Sequence, residues 1–173
     1  FFYYPMIFIV VMYYFLCRFK QFEKVSFLFA ASFFIYYIVY ILIPVAGPQF
    51  YFPAIGMDQV LANHFPAIGD YFYANNSLLP GPGNEQGFFY QLVEASQQVG
   101  EQPTAAFPSS HVGVSTIAMY LAWQGSKKLT FLLLPFYLLL CGATVYIQAH
   151  YLIDALAGFG SAIFVLWLSS YFF

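Results

Sequence analysis

Long stretches of this chain carry no charge. Residues 25–57, 102–126 and 129–153 contain no Asp, Glu, Lys or Arg, and neither do the ends, 1–17 and 155–173. A helix needs about 20 apolar residues to cross the ~30 Å hydrocarbon layer of a bilayer, so each interior run is long enough to span one. Charged side chains make up 7% of the 173 residues and hydrophobic ones 62%, whereas soluble domains carry about 25% charged residues. A water-soluble globule is excluded. The chain reads as an all-α integral membrane protein, multi-pass, forming a single membrane domain over 1–173. Five basic and seven acidic residues, net −2, offer no basic patch, so nucleic acid is excluded as a partner.

Five transmembrane helices are expected: about Phe2–Cys17, Val25–Val45, Ser109–Gln124, Leu129–Gln148, and Leu152 to the end. Phe1 already lies inside an apolar run, with no basic leader or small-residue cleavage site. The chain is therefore read as a fragment lacking its true start. Arg18, Lys20 and Lys24 follow the first span, and Lys127 and Lys128 join the third to the fourth. A zigzag through five spans puts both connectors on one side, which the positive-inside rule makes cytoplasmic. The long 46–107 connection and the 148–152 turn then face outward. In that outer loop, Phe88, Phe89, Leu92 and Val93 recur at helical spacing, predicting a short amphipathic helix over Gln86–Val99 at the membrane surface. Asn75 to Gly83 is turn-rich. Asp58, Asp70, Glu85, Glu94 and Glu101 read as solvated loop charges, and His64 as a loop histidine. Cys17 and Cys141 both sit in apolar runs and suggest neither a disulfide nor a metal framework.

An ionisable residue within a span is costly and marks function. His111 opens the third span, His150 closes the fourth, and Asp154 begins the fifth. The topology brings all three to the outer surface. If residues 150–154 are helical, the i,i+4 spacing puts His150 and Asp154 on one face, where a carboxylate can hold one imidazole nitrogen and raise the basicity of the other. Before His111, Phe107-Pro108-Ser109-Ser110 is a good helix start, and the backbone N–H groups of a helix N-terminus suit a phosphate. Two histidines, a carboxylate and an anion pocket suit phosphoryl transfer through a histidine nucleophile.

Phe107-Pro108-Ser109-Ser110-His111 resembles the Pro-Ser-Gly-His motif of the type 2 phosphatidic acid phosphatase superfamily. His150-Tyr151-Leu152-Ile153-Asp154, followed by Ala155, Ala157 and Gly158, is similar to its closing His-x-x-x-Asp motif. The resemblance implies a bundle of about six membrane helices, one of them preceding Phe1. It implies His150 as the nucleophile, Asp154 as its orienting and charge-stabilising partner, and His111 as general acid and then base. Ser109 and the backbone of Ser110 would hold the phosphate. No metal and no cofactor is implied. Lipid phosphates or phosphodiesters are the implied substrates, with membrane lipids as surroundings.

Phosphatases of that superfamily also carry a Lys and Arg-Pro motif and an Arg six residues before the closing His. Here Thr144 takes the latter position, Gln49 follows Pro48 where a Pro-Arg pair would be expected, and the outward side has no Lys or Arg. The pattern is closest to the branch resembling inositol phosphorylceramide and sphingomyelin synthases, which moves phospho-headgroups between lipids. The other expectation is an inactive member serving as a structural or lipid-binding subunit beside other membrane subunits.

Overall fold

In a chain this apolar, backbone N–H and C=O groups pair within their own segment, and the helix is the local way to do so. The computed structural model describes residues 2–75, 77–80, 84–100 and 102–169. Expectations that fall on Asn76, residues 81–83, Glu101 and residues 170–173, or on the side chains of Phe89 and residues 96–100, lie outside the described residues. Among the described residues there are nine α-helices and no β-strand: α1 Tyr3–Cys17, α2 Phe22–Leu42, α3 Pro48–Ile55, α4 Met57–Leu61, α5 Tyr71–Ala74, α6 Phe88–Gly100, α7 Ser110–Gly125, α8 Lys127–Tyr146 and α9 Leu152–Ser169.

Among the described residues, three helices are long and apolar enough to cross a membrane: Phe19–Leu42, in which a 3₁₀ turn leads into α2, Lys127–Tyr146 and Leu152–Ser169. The fold is that of an all-α integral membrane protein. α1 and α7, at 15 and 16 residues, rise only about 22–24 Å, less than the hydrocarbon layer. Chain breakers set these limits. Pro108 precedes α7, and Ser126 both ends α7 and caps α8, its hydroxyl accepting the Leu129 N–H at 3.5 Å. α2 stops at Leu42 rather than Val45 because Ile43 precedes Pro44, and a residue before proline is pushed out of the helical region.

α7 is the hub, packing against α1, α2, α8 and α9. Val114, Ile117, Ala118 and Ala122 are fully buried along it. Tyr13 and Tyr14, near the end of α1, donate to the carbonyls of Gly125 and Leu121 at 2.9 Å each. These bonds tie the Arg18–Lys24 connector to the same end of α7 as Lys127 and Lys128. All five cations thus gather at one end of the bundle, and the N-terminus of α7 with His111 lies at the other.

The 46–107 connection holds more structure than its composition suggests. α3 starts with Pro48 at its first position, where proline's missing N–H costs nothing. Val45 N–H donates to Thr104 O (3.2 Å) and Ala106 N–H to Val45 O (3.0 Å), an isolated parallel bridge that straps residues 104–106 over the end of α2.

Candidate active site

His150 stands in the turn between α8 and α9, two residues before α9 begins. Its position is fixed from two sides: its N–H donates to Thr144 O (3.0 Å), and its Nδ1 lies 2.8 Å from Ala106 O. A carbonyl can only accept, so Nδ1 carries the proton and the lone pair of Nε2 is left for chemistry. Nε2 lies 3.5 Å from His111 Nδ1, and the two rings meet edge to face with centroids 5.7 Å apart. His150 is 5% exposed. Burial pulls its pKa down to about 4, with the bond to Ala106 acting the other way, so the imidazole is neutral at pH 7.

Asp154 is buried beneath this turn. Its Oδ2 accepts the Tyr151 N–H at 2.8 Å and sits 3.9 Å from His150 Nδ1. The carboxylate at the third position of α9 thus closes back on the residue that caps it, as in one half of a capping box. The sequence suggested a direct Asp154–His150 hydrogen bond on one helical face. The structure puts the Ala106 carbonyl in that place, and the carboxylate stands 3.9 Å from Nδ1, beyond hydrogen-bond reach.

α9 is fastened to α7 at the same level. Ser109 N–H donates to Asp154 O (2.9 Å), and Gly158 packs so closely on the Ser109 carbonyl that no Cβ would fit. Ser109 is fully buried, and its hydroxyl accepts the Val112 N–H at 3.4 Å as the N-cap of α7. Ser110 lines the cavity, and its N–H donates to the Tyr40 hydroxyl (3.1 Å), which in turn donates to Pro108 O (3.0 Å).

The two histidines open onto a cavity of about 710 Å³. Its walls come from α1 and α2 (Tyr3, Phe33, Tyr36, Tyr40), from α3 (Gln49, Phe50) and from the 102–106 strap. Sequence reasoning missed the tyrosines, which read as generic span residues. Gln49, which follows Pro48 where a Pro-Arg pair would be expected, is 2% exposed and lines the cavity. His64 stays apart, its Nδ1 2.6 Å from Gln59 Oε1 on the exposed loop. Among the described residues, no group of three or more His, Cys, Asp or Glu side chains could hold a metal ion.

A bundle of apolar helices that encloses two facing imidazoles and a buried carboxylate at one end defines an integral membrane protein with a histidine centre. The chain belongs to the PAP2 superfamily, whose family model matches residues 1–168. Membership carries a phosphatase or phosphotransferase type of function. No curated protein and no solved structure matches the chain.

Proposed function

We propose that the protein is a membrane lipid phosphatase or lipid headgroup phosphotransferase working through a phosphohistidine. The observation that carries this reading is the pairing of His150 Nε2 with His111 Nδ1 at 3.5 Å on the wall of the cavity, with Nδ1 of His150 held by Ala106. His150 Nε2 attacks phosphorus and the bond to the leaving lipid oxygen breaks, that oxygen taking a proton from protonated His111. The phosphorylated imidazole keeps its Nδ1 proton and is cationic, and the Asp154 carboxylate stabilises it. The acceptor hydroxyl, of water or of a second lipid, then gives its proton to His111 and attacks phosphorus, and the P–N bond breaks. Ser109 and Ser110 begin the helix whose N-terminus faces the phosphoryl group.

The proposal includes a five-span bundle as a single membrane domain, with the 46–107 connection and the histidine centre on the extracytoplasmic face. The gathering of all five cations at the opposite end supports that orientation. Among the described residues the cavity lining includes no Lys or Arg, which favours headgroup transfer in the manner of the inositol phosphorylceramide and sphingomyelin synthase-like branch over plain phosphomonoester hydrolysis.

The same absence motivates a second reading, an inactive member acting as a structural or lipid-binding subunit. His150→Ala in the purified protein separates the two. The expected result is loss of turnover and of acid-labile phosphoenzyme, by at least about a thousandfold, with the melting temperature retained. Full activity in that variant sinks the proposal. A wild type that forms no phosphoenzyme with any lipid phosphate, yet copurifies with other membrane proteins, favours the subunit.

A further inference from the structure

Tyr3 is 4% exposed, lines the cavity, and lays its ring against His111 with centroids 4.7 Å apart. Its hydroxyl is buried and has no hydrogen-bond partner among the described residues. Two other tyrosines of the wall spend theirs within the protein: Tyr36 bonds Ser161 Oγ at 2.7 Å, and Tyr40 bonds Pro108 and Ser110. An unpaired buried hydroxyl is unfavourable, and phenylalanine would fill the same space without it. The hydroxyl makes sense if something entering beside His111 accepts from it.

Among the described residues, those lining the cavity include none of Lys, Arg, Asp or Glu, and the Asp154 carboxylate stands 3.9 Å from His150 Nδ1. An anion entering here meets hydroxyl, amide and imidazole groups and no fixed cation. The cost of taking an ion out of water rises with the square of its charge, so a doubly charged phosphomonoester is penalised roughly four times as heavily as a singly charged diester.

We propose that Tyr3 is a substrate-binding residue whose phenol donates to a non-bridging oxygen of a phosphodiester monoanion held at the histidine pair. The cavity thereby selects diesters over monoesters. The entering phosphoryl group parts the aromatic wall to reach the hydroxyl, which is closed off from water. This rests on reading the pair as a phosphoryl-transfer centre, and it names the class of substrate.

The test is binding of two short-chain lipids with identical tails, dihexanoyl phosphatidylglycerol and dihexanoyl phosphatidic acid, to the purified full chain in detergent at pH 8, with thermal unfolding alongside. Wild type is expected to bind the diester about tenfold or more tightly than the monoester. Tyr3→Phe is expected to weaken diester binding about tenfold or more, the loss of one hydrogen bond to a charged group, with the melting temperature unchanged or raised. Diester binding equal to wild type in Tyr3→Phe overturns the proposal. So does a wild type that prefers the monoester or binds neither lipid, and so does weakened binding together with a lowered melting temperature. Because binding is read without turnover, an inactive wild type whose diester binding depends on Tyr3 refutes catalysis and leaves this proposal standing. Turnover and binding both indifferent to Tyr3→Phe do the reverse.

Discussion

α7 and α8 adjoin in sequence and meet at the turn through Ser126, yet they face opposite surroundings. α7 buries Val112, Val114, Ile117, Ala118 and Ala122 among four other helices. α8 turns Phe131, Leu132, Leu138 and Leu139 outward. Hydropathy does not sort them, because lipid is as apolar as a protein interior. Size does. α7 carries Gly113, Ser115, Ala118, Ala122 and Gly125, which let neighbouring backbones approach, and helix association in lipid depends on such close packing. At Gly113 a Cβ would collide with the Tyr36 hydroxyl. The outward Leu and Phe of α8 meet what we take to be lipid tails.

That contrast can be broken by matched substitutions, followed by thermal unfolding in one detergent. The largest effect belongs to Ile117→Ala, which opens a cavity at a fully buried site and should cost about 2–5 kcal/mol. Leu138→Ala, on a side chain 59% exposed, should stay within about 0.5 kcal/mol. Similar losses at both sites would erase the distinction between inside and outside.

Two glycines of α9 sharpen it. Gly158→Ala drives a Cβ into the Ser109 carbonyl, whereas Gly160 has nothing within 4 Å of its virtual Cβ. The first should lose about 1–3 kcal/mol through overpacking, and the second should gain up to about 1 kcal/mol from better helix propensity. A Gly158→Ala protein as stable as wild type would mean that α7 and α9 are not clamped there.

Another small effect comes from pH and touches only the histidine end. His150 falls from 6.5 to about 4 on folding, so between those values the unfolded chain binds a proton that the folded one refuses. Stability is complete above the unfolded value and declines as pH drops. From pH 7 to pH 6 the loss is roughly 0.7 kcal/mol. His150→Gln should remove that share of the slope, and an unchanged slope would assign it to another group.

Much of this architecture could be read from the runs without charge, because a bilayer imposes one length and one kind of local pairing. α9 begins at Leu152 as expected, and a helix at Phe88–Gly100 lies close to the Gln86–Val99 expectation. α3 was not foreseen, since Phe50, Tyr51 and Phe52 followed by Pro53 read as loop when nothing in the sequence says they pack on the turn carrying His150. Gln49 N–H donates to Gln148 O at 2.9 Å and Gly47 abuts Ala149 O, contacts between residues about a hundred apart. The closeness of the histidines was suggested by topology. The partner of His150 Nδ1 was not, because a backbone carbonyl leaves no mark in a sequence. Tyr3 was hidden among sixteen tyrosines; Tyr14 and Tyr36 are buried as well, and a buried hydroxyl left unpaired beside His111 is what sets Tyr3 apart.

The bonds from Ser109 N–H to Asp154 O and from Tyr151 N–H to Asp154 Oδ2 join the start of α7 to the start of α9. His111 lies two residues from one end of that joint and His150 four from the other, so a backbone joint sets the spacing of the rings. α1 and α2, by contrast, supply most of the aromatic part of the cavity wall. If the cavity holds the lipid as proposed, reactive geometry and ligand choice are carried by separate parts of the chain, and substitutions on α1 and α2 would retarget the protein to new lipids while leaving the imidazole spacing intact.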